Sequence, residues 1–314
     1  MDYPKQTVSA IYEQCVYWKR NIFLLASGEA GKQFIEECRG LINIWNNDSP
    51  LKPIALKALM IMPSFPLQKV SKNSKARDHS EQLWKRMDLW TSGNFDTLVR
   101  EVRFIQSKLR SFTNINTIEQ LARKFNDLML AGKINPALRL LSDRKCSGIL
   151  PINDETKQLL RDKHPPSDEK HDNLLLEGPE LRFDDYAYRG ITGSLIRKIT
   201  REVKGASGLS SLDFDGWKRI LTSATFGAYS NGLCDAIATL TRKLCLKRFC
   251  NEESSLAALL ASKLIPLDKN PGLRPIGIGE VLRRIIGRAV VRNCNTDIIE
   301  SAGDVLGNGV DAKP

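Results

Sequence analysis

Histidine is scarce in this chain, and cysteine is badly placed for metal or for pairing. Three histidines (His79, His164, His171) and seven cysteines (Cys15, Cys38, Cys146, Cys234, Cys245, Cys250, Cys294) occur in 314 residues, with no Cys-x-x-Cys pair. A structural zinc site needs four nitrogen or sulfur ligands at short paired spacings, so none is expected here. The odd cysteine set points to reduced thiols and an intracellular protein, nuclear or cytoplasmic. Long apolar runs are missing as well. The stretch 53–67 is interrupted by Lys57, Pro63 and Pro66, too short to cross a bilayer, and no signal-peptide pattern precedes it. No membrane partner is expected. Gly28-Glu29-Ala30-Gly31-Lys32 approaches a phosphate-binding loop but fails, because Ala26 stands in place of the first glycine and Gln33 in place of the metal-holding Ser or Thr. A glycine-containing helix junction fits it better.

What is present is hydrophobic content of 42% and a net charge of +11. The first can bury a substantial core, and the length suggests about two domains. The second suits a polyanionic partner, through release of counterions from phosphates; a basic protein without such a partner is the plain alternative. The excess is uneven. Residues 1–150 carry 23 Lys and Arg against 14 Asp and Glu, so +9; residues 151–204 carry 10 against 11, and 205–314 carry 14 against 11.

The first half reads as helices. Ile11, Cys15, Trp18, Ile22 and Leu25 make one stripe, and Phe34, Cys38, Leu41 and Trp45 another. A third helix over 50–62 is stopped by Pro63 and Pro66. Lys69 to Arg77 forms a basic linker, able to touch a phosphate backbone or merely solvated. Further helices follow over 78–92, from Asn94, and from a capping box of Thr117 with Gln120. Lys85-x-x-Asp88-Leu89-x-x-x-Gly93 recurs as Lys124-x-x-Asp127-Leu128-x-x-x-Gly132. Two copies are too few for a solenoid, and shared capping rules produce the same echo. The charged, proline-containing run from His164 to Asp172 is the best domain boundary.

Downstream, helices are expected over 191–203, from an Asp213 cap carrying Phe214, Trp217, Ile220 and Leu221, over 231–249, and over 254–261. Leu264-Ile265-Pro266-Leu267 and Leu273-Arg274-Pro275-Ile276 flank Asn270-Pro271-Gly272. This spacing predicts a hairpin, and a proline in each arm restricts it to a sheet edge. Lys269 and Arg274 fall at its turn end, one on each arm, able to meet one anion. They could equally be plain surface charges paired with Asp268 or Glu280. A basic amphipathic helix follows, with Val281, Ile285 and Ala289 on its apolar stripe and Arg283, Arg284, Arg288 and Arg292 mostly off it.

The run IPLDKNPGLRPIGIGEVLRRIIG resembles the fingers hairpin and following helix of reverse transcriptases, the RNA-directed DNA polymerases of retroelements, especially non-LTR-like ones. The resemblance implies that Lys269 and Arg274 contact the triphosphate of an incoming deoxynucleotide, Arg by its planar fork and Lys as a point charge. Residues 205–217 resemble the Gly-Pro-x-Gly-Leu-Asp segment before that hairpin, with Leu209 where proline is usual and Ser211 where the second glycine is usual. By the same resemblance, Lys218 and Arg219 serve template phosphates. Arg283, Arg284 and Arg288 join them as expected nucleic-acid backbone contacts.

That family's palm supplies clustered aspartates to two Mg²⁺ ions. After Val291 the aspartates are Asp297, Asp304 and Asp311, in a Gly-rich stretch. The one Asp-Asp pair, Asp184-Asp185, lacks the aromatic two places ahead. The expectation is therefore a truncated, mainly α chain. It has a helical N-terminal bundle over 1–163, a linker over 164–190, a partial reverse-transcriptase fingers region with a small β-hairpin over 191–293, making it α+β, and a tail over 294–314. Such a chain would be catalytically inactive alone and would need no cofactor, since Mg²⁺ belongs to a complete polymerase. Its partners would be RNA or DNA, and a deoxynucleotide triphosphate. The competing expectation is a helical scaffold that binds another protein.

Overall fold

Apolar residues recur every three or four positions along most of the chain, and the computed structural model is accordingly mainly helical, with one small two-stranded antiparallel sheet. It describes residues 5–70, 75–110, 118–142, 148–163, 185–246, 254–269 and 272–295. The helices are α1 (Lys5–Cys15), α2 (Glu29–Asn46), α3 (Lys52–Ile61), α4 (Ala76–Thr91), α5 (Phe95–Arg110), α6 (Ile118–Leu130), α7 (Ile134–Ser142) and α8 (Asp154–Lys163). There follow α9 (Gly193–Glu202), α10 (Phe214–Thr222), α11 (Gly227–Leu246), α12 (Ser254–Leu260), the strands β1 (Ser262–Asp268) and β2 (Leu273–Gly279), and α13 (Val281–Asn293).

Residues 1–107, 181–262 and 279–314 cluster as one unit, and 108–180 with 263–278 as a second. The reason is a match of apolar stripes. Phe34, Ile35, Cys38, Leu41, Ile42 and Trp45 bury one face of α2, which packs on α11, where Leu233, Ile237 and Leu240 are buried. Asn46 Nδ2 donates to Ala236 O at 3.1 Å, and the Lys243 ammonium donates to Asn46 O. Residues 1–107 are thus built into the same core as the arginine-bearing helix α13. The expected linker centred on residues 164–172 and most of the tail lie outside the described residues.

Within this first unit, α3 is apolar nearly all round and sits among α1, α2 and α12, which is why so short a helix buries eight residues. Residues 21–23 run antiparallel to 67–69, with Phe23 N–H to Leu67 O at 2.9 Å and Lys69 N–H to Asn21 O at 2.8 Å. Arg86 of α4 is wholly buried beneath them, donating to Gln68 O at 2.5 Å and twice to Glu101 Oε1. Gly28 ends the preceding loop at φ 101°, and Gly31 follows in α2, where a Cβ would meet Ala26 O at 2.2 Å. This is a close-packed helix junction. The second unit holds α6, α7, α8 and the β-ribbon apart from its end residues Ser262 and Gly279.

Candidate phosphate and nucleic-acid interface

β-branched and apolar residues with proline on each arm make a short ribbon, and its register follows from one bond. Lys269 N–H donates to Gly272 O at 3.0 Å, so these two residues lie opposite each other. The equal strands 262–268 and 273–279 continue that pairing, which sets Leu267 opposite Arg274. Opposite residues share a face, and so do residues two apart on one strand. Lys269 and Arg274 therefore project from the same face as diagonal neighbours, roughly 7–8 Å apart by ordinary sheet spacing. Both are exposed. Gly272 takes φ 91°, the left-handed conformation that glycine accepts without strain. Asn270 and Pro271 lie outside the described residues.

The register also explains how a proline-rich ribbon survives. Residues 263, 265, 267 and 269 turn their amide groups toward β2, so Pro266 faces the other way and takes no donor from the ladder. On that outer side a third segment pairs with β1: Leu150 N–H donates to Pro266 O at 2.9 Å, and Asp268 N–H to Gly148 O at 3.0 Å. Thus β1 is flanked on both sides, which corrects the expectation of a plain edge hairpin. Pro275 faces out from β2, where its missing N–H costs nothing in the ladder.

In the first unit, the loop 204–213 is held by charged groups from far along the sequence. Glu280, wholly buried at the start of α13, accepts the Ser210 N–H and the Ser210 hydroxyl, each at 2.7 Å. Burial raises its pKa, and the Ser210 and Leu209 bonds and the Arg284 charge oppose that rise. Gly208 is required beside it, since a Cβ there would sit 2.6 Å from Glu280 Oε1. Arg284 donates to Lys204 O at 3.1 Å, to Ala206 O and to Gly279 O at 3.4 Å. Arg20 donates to Ser211 O at 3.1 Å and ion-pairs with Asp213, whose carboxylate caps α10 by accepting Gly216 N–H at 3.0 Å. Ser211 takes φ 66°, in the left-handed region that glycine accepts without strain. Glu280 is consequently no surface partner for a ribbon cation.

The five expected backbone-binding cations fall into different classes. Lys218 is exposed on α10. Arg219 is committed to the fold: it donates to Leu25 O at 3.2 Å, Ser27 Oγ at 2.8 Å and Ser223 Oγ at 3.1 Å, and lies over the Phe226 ring. Arg284 is half-buried and clamps the loop just described. Arg283 is exposed and donates to Leu260 O at 3.0 Å, while Arg288 is exposed and reaches Glu202 O at 3.5 Å. Trp217, which precedes Lys218 on α10, is buried in the core.

Sequence reasoning missed the Glu280–Ser210 pairing and the clamp role of Arg284, because neither has a local signal. It also missed Tyr186 and Arg189, an exposed aromatic with a guanidinium 5.2 Å from its ring centroid. Among the described residues no group of three or more His, Cys, Asp or Glu side chains is brought together to hold a metal ion. Asp297, Asp304, Asp311 and Asp184 lie outside those residues. Among them, no helix is long and apolar enough to cross a membrane. No protein-family model, curated protein or solved structure matches the chain.

Proposed function

We propose that this chain is a reverse-transcriptase-like fingers segment that binds nucleotide phosphates and nucleic-acid backbone without carrying out nucleotidyl transfer by itself. The observation that supports this best is the placement of Lys269 and Arg274 as exposed diagonal neighbours on one face of a proline-stiffened ribbon. A point charge and a five-donor fork set side by side can share one triphosphate, and their charges are not spent on each other. The glycine-requiring loop 204–213 adds support, since its Ser211 conformation matches what the resembling segment asks of that position. The reading assigns no catalytic residue and no resident metal to the chain.

The test is calorimetric binding of a deoxynucleotide triphosphate to the full chain and to Lys269→Gln and Arg274→Gln. Binding is expected to weaken about 10-fold or more in each variant, Arg274→Gln more than Lys269→Gln. Equal affinity in all three proteins would end the proposal. Metal-dependent incorporation of nucleotide by this chain alone would overturn its inactive part.

A second reading, a helical scaffold that binds another protein, draws on one observation. The α6 and α7 pair leaves Leu130 88% exposed, with Met129, Ile134 and Leu138 also exposed. A patch of this kind marks an interaction surface more often than scattered single residues do. Reversing charge at Arg274 and Arg283 separates the two, since scaffold binding survives that change.

A further inference from the structure

We infer that the turn bearing Tyr186, with the exposed cations of α9 and α13 beside it, is a docking surface for single-stranded nucleic acid on which one base stacks. This rests on the nucleic-acid reading above, but it uses none of the ribbon residues. Residues 185–188 form a 3₁₀ turn whose Tyr186 side chain is 75% exposed. The Arg189 guanidinium covers one side of the ring at 5.2 Å from its centroid. The ring stays in water with a cation behind it and takes no part in the core. It presents instead a flat, electron-rich face of the kind that unpaired bases stack on.

The turn is anchored where the positive charge is. Asn293 at the end of α13 donates from Nδ2 to Ala187 O at 2.7 Å, and a Cβ on Gly190 would strike Asn293 Oδ1 at 2.3 Å, so the turn and helix end meet closely. Arg292, one residue before, pairs with Glu202 at the end of α9 at 3.0 Å, and Arg288 reaches the Glu202 carbonyl. Helix α9 packs on α13 and exposes Lys198 and Arg201. Across these segments α13 carries no acid, α9 carries only Glu202 and the turn only Asp185. Cations flanking an exposed aromatic are the two parts of a sequence-tolerant single-strand site: phosphates are drawn by charge, and a base is held by its π-face. A duplex hides its base faces and would engage the charges alone. Neither part depends on the sugar, so RNA and DNA strands of one sequence should bind alike.

Fluorescence anisotropy with the full chain and a labelled 15-nucleotide strand, as RNA and as DNA, tests this across a salt series. The wild type should bind both strands, more tightly than a duplex of the same sequence, and lose affinity as salt rises. Tyr186→Ala should weaken binding roughly five- to a hundred-fold, and Tyr186→Phe should leave it unchanged, since the ring and not the hydroxyl does the stacking. Lys198→Gln with Arg201→Gln should flatten the slope of log affinity against log salt by about 1.4, near 0.7 for each lost phosphate contact. A 5-iodouracil strand should photocrosslink at Tyr186 in the wild type, a readout that does not depend on any variant folding. Crosslinking confined to other residues, equal affinity of Tyr186→Ala, or an equal loss in Tyr186→Phe overturns the inference. Competition by polyglutamate as effective as by unlabelled strand would point to an acidic protein and also overturn it. Failure of triphosphate binding at the ribbon, with Tyr186-dependent strand binding intact, removes the fingers reading alone; the opposite pattern removes this inference alone.

Discussion

Glu280 accepts two hydrogen bonds from Ser210, one from its backbone N–H and one from its hydroxyl, each 2.7 Å long and spanning 70 residues of sequence. A wholly buried carboxylate is costly unless it is hydrogen-bonded, and these bonds offset part of that cost while fixing the loop 204–213 to the start of α13. The same pairing gives the loop its demand for Gly208, and Arg284 completes it from the next turn of the helix.

A pH dependence follows from that carboxylate. Its folded-state pKa is raised, chiefly by burial, above the unfolded value of about 4.3. Its contribution to stability is therefore full below that value and is lost as pH rises through the folded one. Glu280→Gln keeps the shape without the titration. Melting temperatures of wild type and Glu280→Gln, measured from pH 4 to pH 8, should show the wild type's relative advantage shrinking as pH rises. An advantage that grows with pH would contradict the assignment.

Ser211→Gly should stabilise the protein. The left-handed φ of 66° costs a side-chain-bearing residue about 1–2 kcal/mol, of which the greater unfolded-state freedom of glycine returns about 0.5–1. Arg20 bonds the Ser211 carbonyl, which the substitution leaves in place. Denaturant midpoints should move up by the equivalent of about 0.5–1 kcal/mol; a drop would mean that the hydroxyl matters more than the backbone.

Arg86→Ala should destabilise by about 3 kcal/mol. The side chain is fully buried and serves the Gln68 and Pro66 carbonyls as well as Glu101, so removal leaves buried acceptors and a carboxylate without partners. Arg86→Lys should recover less than half of the loss, because one ammonium cannot span that fork of acceptors. Urea unfolding measures both, and full recovery by lysine would rule out the fork.

Thiol reactivity should divide by burial. Cys15, Cys38 and Cys234 are buried, and burial pushes their pKa upward, that of Cys234 to about 11. A thiolate is the reactive form, so these three should label slowly at pH 8 in the native state and quickly in denaturant. Cys245 and Cys294 are only half-buried and should label before those three. Mass spectrometry of timed samples distinguishes the order.

Several local features were readable directly from the residues. Asp213 caps α10 as its spacing before Phe214 and Trp217 required. The repeated Lys-x-x-Asp-Leu-x-x-x-Gly pattern proves to be one capping rule used twice. Gly93 and Gly132 take φ 76° and 68°, and the residues after them, Asn94 and Lys133, donate back to Leu89 O and Leu128 O at 2.9 and 2.8 Å. The roles of individual cations were not readable. Arg219 and Arg284 look like free phosphate ligands when only their charge and helix position are known, yet both are occupied by carbonyls and hydroxyls of distant segments.

Helix positions, the two glycine caps and a proline-bearing ribbon with Lys269 and Arg274 on opposite arms come from short-range stereochemistry, which a sequence states openly. Which stripe meets which, the union of residues 1–107 with α9 to α13, the register of Lys269 and Arg274 on one face, the bridge from Gly148–Leu150 to β1, and the burial of Glu280 were decided by packing. Those outcomes depend on contacts between residues tens to hundreds of positions apart, where many apolar faces could have served and only their shapes in three dimensions choose among them.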